Sequence, residues 1–153
     1  EKTLPAFLDL DLPGSKVVVG SGPAREPLMA KYPETPFFIA DGDQDLVRYY
    51  NAADVFVFPS VTDTFGLVML EALACGVPVA AFPVTGPKDV IGTSTVGVLD
   101  TDLAAAAVRA QGIDPVLCRE HALKFSWDTV VSEFVDYLAP FTPPQEPSAQ
   151  AAQ

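Results

Sequence analysis

Strand-length apolar runs separated by helical patterns constrain this chain more than any other feature. The runs at 16–19, 37–39, 55–58 and 77–81 are continuous rather than alternating, and a shorter one follows at 96–99. Continuous runs rich in β-branched and aromatic residues mark strands covered on both faces, as in a parallel sheet. Between and after them the pattern predicts helices over 23–32, 43–52, 65–75, 87–92, 101–110, 114–124 and 127–139. Alternation at this spacing implies right-handed crossovers and a doubly wound α/β sheet. Residues 1–10 read as a helix of the kind that follows a strand, so a first strand is expected upstream of Glu1.

The chain has 153 residues, enough for one domain with a core. That domain is expected over 1–139. From Pro140 the composition turns to Pro, Gln, Ala and Ser with Glu146 as the only charge, so 140–153 is expected to be a disordered tail. The formal charge of −11 and the absence of Lys and Arg clusters argue against nucleic acid as a partner. An anionic ligand would have to be held by local groups against that field. No apolar run reaches the ~18 residues that span a bilayer. Cys75 and Cys118 lie far apart and read as reduced, buried thiols, while His121, the single histidine, reads as a helix-surface residue. Trp127 and the phenylalanines read as core. The sequence shows no metal-ligand cluster, and no cofactor is expected.

The chemistry concentrates between Phe58 and Val79. A strand ends at Pro59-Ser60, a polar loop runs through Asp63, and Phe65-Gly66-Leu67 opens a helix that Gly76 closes and Pro78 terminates. In a parallel sheet such a loop lies beyond the carboxyl end of the strand, where open α/β folds bind ligands. The first turn of a helix carries unpaired N–H groups and partial positive charge, a seat for phosphate. Gly66 allows a close approach to the backbone. Glu71 stands eight residues after Asp63 in a helix that is otherwise apolar. A carboxylate can accept hydrogen bonds from the paired hydroxyls of a ribose or hexose. The same positions also suit a solvent-facing helix residue and a turn-closing aspartate.

Taken in order, Pro59-Ser60, Phe65-Gly66, Glu71-Ala72, Gly76 and Pro78-Val79 closely resemble the signature of the group 1 retaining glycosyltransferases with the GT-B fold. Val19-Gly20-Ser21-Gly22-Pro23, Ala52 to Phe58, Pro83-Val84-Thr85-Gly86-Pro87 and Phe125-Ser126-Trp127 are similar to further segments of that family. The resemblance covers about residues 1–139. It departs at Asp63, where the family usually carries Glu.

The resemblance implies a Rossmann-like donor-binding domain, one half of a GT-B fold, that works with an N-terminal acceptor domain of the same protein. It implies a UDP-sugar or GDP-sugar as donor substrate and hexose transfer to a lipid, glycan or small-molecule acceptor. Asp63 would act at the donor sugar as the catalytic-position residue, and Phe65, Gly66 and Leu67 would meet sugar or phosphate through the backbone. Glu71 would hold the ribose and Lys2 the diphosphate. A cytoplasmic location follows, with a membrane-lipid acceptor at the inner face as one form of it. The alternative reading is a non-catalytic nucleotide-binding or interaction module of the same fold. A sugar-nucleotide epimerase is disfavoured by the single histidine, and a receiver-like or flavodoxin-like domain leaves the set around Asp63 and Glu71 unexplained.

Overall fold

The structure, a computed structural model, describes residues 3–138. Lys2 and the expected tail at 140–153 therefore lie outside the described residues. In order, the elements are α1 (Leu4–Leu8), β1 (Val18–Val19), α2 (Arg25–Lys31), β2 (Phe37–Phe38), α3 (Asp43–Asn51), β3 (Phe56–Phe58) and α4 (Leu67–Ala74). They continue with β4 (Val79–Ala81), α5 (Thr85–Val90), β5 (Gly97–Leu99), α6 (Leu103–Ala110), α7 (Pro115–Ala122), a 3-10 turn (Leu123–Phe125) and α8 (Trp127–Tyr137). Each strand and helix read within the described residues is present, most of them shortened at the ends, whereas the helix expected over 87–92 is shifted to Thr85–Val90.

All strand pairs are parallel. β3, β4 and β5 form one sheet in that order, with Phe56 opposite Val79 and Val79 opposite Gly97. β1 and β2 pair separately, with Val18 opposite Phe37. The expected single sheet is thus two ladders, and burial follows from that. β4, with a strand on either side, is buried throughout, whereas β1 and β2 are only partly covered and Phe38 is exposed. Strand neighbours and helices on both faces bury a strand; a two-stranded ladder supplies only part of that cover.

The period of two sorts the core. Val79 and Ala81 face a cluster with Phe58, Met69, Leu73, Val90, Ile91, Val96 and Cys118. Ala80 faces the opposite way, against Ala106, Ala107 and Ala110 of α6. Helix α4, backed by α7, therefore covers one face of the three-stranded sheet and α6 the other. Small side chains along α6 let that helix lie close over the strands.

Local signals set the helix ends. Asp102 accepts a hydrogen bond from Ala105 N at 3.0 Å, Asp114 from Val116 N at 2.9 Å and Ser126 from Thr129 N at 3.2 Å. Helix α4 ends in a Schellman arrangement. Gly76, at φ 79°, donates to Leu73 O at 2.9 Å, and Val77 N reaches back to Ala72 O at 2.9 Å.

Two burial expectations are corrected. Trp127 is 82% exposed and Phe134 is exposed as well, because α8 packs chiefly on the short turn before it and buries no residue of its own; Phe38, in the two-stranded ladder, is also exposed. His121 is half-buried rather than a surface residue, with Nε2 2.7 Å from the Val90 carbonyl and its ring 5.5 Å from that of Phe125. Both cysteines are free thiols, but only Cys118 is fully buried; Cys75 is partly covered.

Candidate functional site

β3 ends at Phe58, and the buried pair Pro59-Ser60 carries the chain to a loop beyond the strand's carboxyl end. That loop turns on Asp63, whose Oδ1 accepts a hydrogen bond from Phe65 N at 3.3 Å. Gly66 then takes a left-handed conformation at φ 82° and starts α4. Only a residue without Cβ adopts this turn freely. No side chain caps the helix and no acidic residue sits in its first turn. Met69 N bonds back to Gly66 O at 2.9 Å, and the N–H groups before it keep the partial positive charge of a helix start without a side-chain cap.

The floor beneath this turn is tightly packed. A Cβ on Gly86, in the first turn of α5, would stand 2.9 Å from Phe65 O and 3.1 Å from Asp63 O. The loop 63–65 therefore lies directly on the α5 backbone. Phe65 is half-buried, its ring edge-on to Phe125 at 6.2 Å, and Leu67 is exposed. Gly66 between them is buried, so of the three residues expected to offer backbone groups only Phe65 and Leu67 reach the surface.

Glu71 lies one turn further along α4 than Leu67. Its Oε2 accepts a hydrogen bond of 2.9 Å from the hydroxyl of Tyr50 in α3. Tyr50 is buried among Ala72, Val77, Leu46 and Phe56, with the Phe56 ring edge-on at 5.7 Å. Burial first, and the Glu71 carboxylate second, push the Tyr50 hydroxyl well above its usual pKa, so it stays a donor across the neutral range. Cys75 is raised as well, chiefly by burial and further by Glu71, against a lowering contribution from Arg119.

The expected residues thus divide. Asp63, Phe65, Gly66, Leu67 and Glu71 share one loop and helix start. Asp63 is tied into the loop by Phe65 N, and Glu71 is tied to α3 by Tyr50. Lys2 lies outside the described residues. Tyr50 was not singled out in the sequence, although Leu46 and Tyr50, four apart, mark the inward face of α3. Among the described residues no three His, Cys, Asp or Glu side chains converge on a metal-ion position.

Strand order, parallel pairing and a helix start beyond β3 define a Rossmann-like α/β domain. The chain belongs to the family described as glycosyl transferases group 1, whose profile matches residues 11–111. It is 41% identical over 114 residues to a D-inositol 3-phosphate glycosyltransferase of Saccharomonospora viridis, an alignment covering 67% of this chain and 26% of that protein. Its similarity to the enzyme of the same description from Mycobacteroides abscessus is 32% over 167 residues, covering 92% of this chain and 38% of the relative. The chain therefore spans between about a quarter and two fifths of the length of these relatives.

Among solved structures, sucrose-phosphate synthase from Thermosynechococcus elongatus superposes with a TM-score of 0.59 at 27% identity, over 88% of this chain and 40% of that one. S. aureus TarM superposes with a TM-score of 0.66 at 19% identity, over 88% of this chain and 32% of that one, a likeness of fold. These neighbours are GT-B glycosyltransferases, and the expected half-domain of that fold is present. No helix among the described residues is long and apolar enough to cross a membrane.

Proposed function

We propose that this chain is the donor-binding part of a retaining glycosyltransferase that moves a hexose from a nucleoside diphosphate sugar, with UDP or GDP as the carrier. The observation that carries the reading is the uncapped start of α4 beyond β3, with the Glu71 carboxylate held in place on the same helix. Helix N–H groups suit the anionic diphosphate, and a carboxylate suits a ribose diol. The TarM structure and that of the pneumococcal O-GlcNAc transferase GtfA were both solved with UDP, which is in keeping with such a donor.

In this reading the bond from the sugar anomeric carbon to the terminal phosphoryl oxygen breaks as the acceptor oxygen bonds to that carbon from the same face. The departing diphosphate takes the acceptor proton. The chain's contribution is positioning and stabilisation of the leaving charge by the α4 backbone and by Lys2. Asp63 would meet the donor sugar, and the N-terminal acceptor domain would supply the acceptor, whether lipid, glycan or small molecule. A lipid acceptor would place the work at the inner face of the membrane. No resident cofactor is required.

A second reading, a non-catalytic nucleotide-binding module, is favoured by one observation: Asp63 spends an oxygen on its own loop. Titration of the full-length protein with UDP, GDP and their sugar conjugates, beside a Glu71→Ala variant, tests the donor reading. Preference for one nucleoside diphosphate, weakened about tenfold or more in the variant, is expected. Equal affinity in both proteins overturns the role of Glu71. Binding without transfer of sugar to any acceptor leaves the module reading in possession.

A further inference from the structure

Tyr50 sits at the junction of α3, α4 and the segment leading into β4. It is 8% exposed, and its ring is fixed on several sides by Ala72, Val77, Leu46 and the edge-on Phe56. Its hydroxyl has two acceptors within reach, Glu71 Oε2 at 2.9 Å and the Val68 carbonyl at 3.4 Å. The carboxylate oxygen is nearer than the carbonyl, so it accepts the hydrogen bond that the single hydroxyl proton can donate. Glu71 itself is exposed, on a side chain with three rotatable bonds that would otherwise sample many positions.

We infer that Tyr50 is a positioning residue for the donor nucleotide. Its hydroxyl anchors Oε2 of Glu71 and leaves the rest of the carboxylate aimed at the ribose diol. The inference rests on the reading of Glu71 as the ribose contact. A rigid aromatic ring, locked by packing, transmits its own position to a flexible carboxylate through one hydrogen bond. The carboxylate is then ordered before the nucleotide arrives, which lowers the entropic cost of binding. The raised pKa of Tyr50, set first by burial and then by the Glu71 hydrogen bond, keeps the hydroxyl protonated and donating.

The test uses the full-length protein and four forms of it: wild type, Tyr50→Phe, Glu71→Ala and the double variant. Each is titrated calorimetrically with UDP and GDP and with their 2′,3′-dideoxy counterparts. Phenylalanine keeps the ring and its packing, and an unchanged circular dichroism spectrum confirms that each variant is folded. Tyr50→Phe is expected to weaken the ribonucleotide roughly three- to tenfold, leave the dideoxy analogue unaffected, and add nothing in the Glu71→Ala background. Equal weakening of both nucleotides, or full additivity with Glu71→Ala, would mark a merely structural tyrosine and overturn the inference. So would unchanged binding in Tyr50→Phe where Glu71→Ala is impaired. Unchanged ribonucleotide binding in Glu71→Ala instead overturns the underlying reading of Glu71 as the ribose contact, which separates the two failures.

Discussion

Gly86 lies directly beneath Phe65: a Cβ at position 86 would stand 2.9 Å from the Phe65 carbonyl oxygen. The obstacle is backbone, and Asp63 O lies next to it at 3.1 Å, so neither side chain motion nor a rotamer change can relieve the clash. Gly86→Ala gains about 1 kcal/mol of helix propensity in α5 and loses about 1–3 kcal/mol to overpacking. The net expectation is a less stable protein with a displaced 63–65 loop. Urea denaturation should show the loss, and nucleotide titration should show weaker binding.

Gly66 is constrained for a different reason. At φ 82° an L-residue costs about 1–2 kcal/mol, and a Cβ there would also meet Met69 Cε at 2.6 Å and Phe58 Cζ at 3.2 Å. Met69 is fully buried, so its side-chain end has little room to retreat. Gly66→Ala is expected to lower stability by at least that amount and to tilt the start of α4, read as a shifted urea midpoint together with loss of nucleotide affinity.

The Tyr50–Glu71 pair makes a pH prediction. The folded protein holds the Tyr50 proton more tightly than the unfolded chain, whose tyrosines titrate near about pH 10. The contribution is therefore fully present below about pH 10 and is lost as pH rises through the folded value. The wild type should exceed Tyr50→Phe in urea midpoint near about pH 8, and the gap should narrow by about pH 11. A gap independent of pH would mean that the hydroxyl has no special proton affinity.

Arg119 secures the far end of the same helix. Its Nη1 donates to the Ala74 carbonyl at 2.7 Å, satisfying a terminal acceptor of α4 and placing positive charge at the negative end of the helix. Because the guanidinium is exposed to solvent, Arg119→Ala should cost only about 0.5–1 kcal/mol, with partial recovery in Arg119→Lys. Thermal unfolding of the three proteins checks this, and the effect should shrink as salt is raised.

Much of the site was readable because it is local. Phe65-Gly66-Leu67, Glu71, Gly76 and Pro78 carry their structural meaning in spacing and residue type: a left-handed turn, a helix start, a Schellman end. Tyr50 was not readable in the same way. Its partner lies 21 residues away on another helix, and a tyrosine on an apolar helix face looks like core until its hydroxyl is seen to reach Glu71. Trp127 shows the converse. Its composition suggests burial, yet the helix that carries it packs on too little of the described chain to cover it.

The sequence by itself determined the alternation of strands and helices, the parallel α/β class and the family, since continuous apolar runs, caps and turn residues are set over short stretches of chain. Tertiary structure alone decided the division of the strands into a pair and a trio. It also decided the press of Gly86 against the 63–65 loop, the diversion of one Asp63 oxygen to Phe65 N, and the anchoring of Glu71 by Tyr50. Those relationships join residues distant in sequence, and their strength comes from the burial and close approach that only the assembled fold provides.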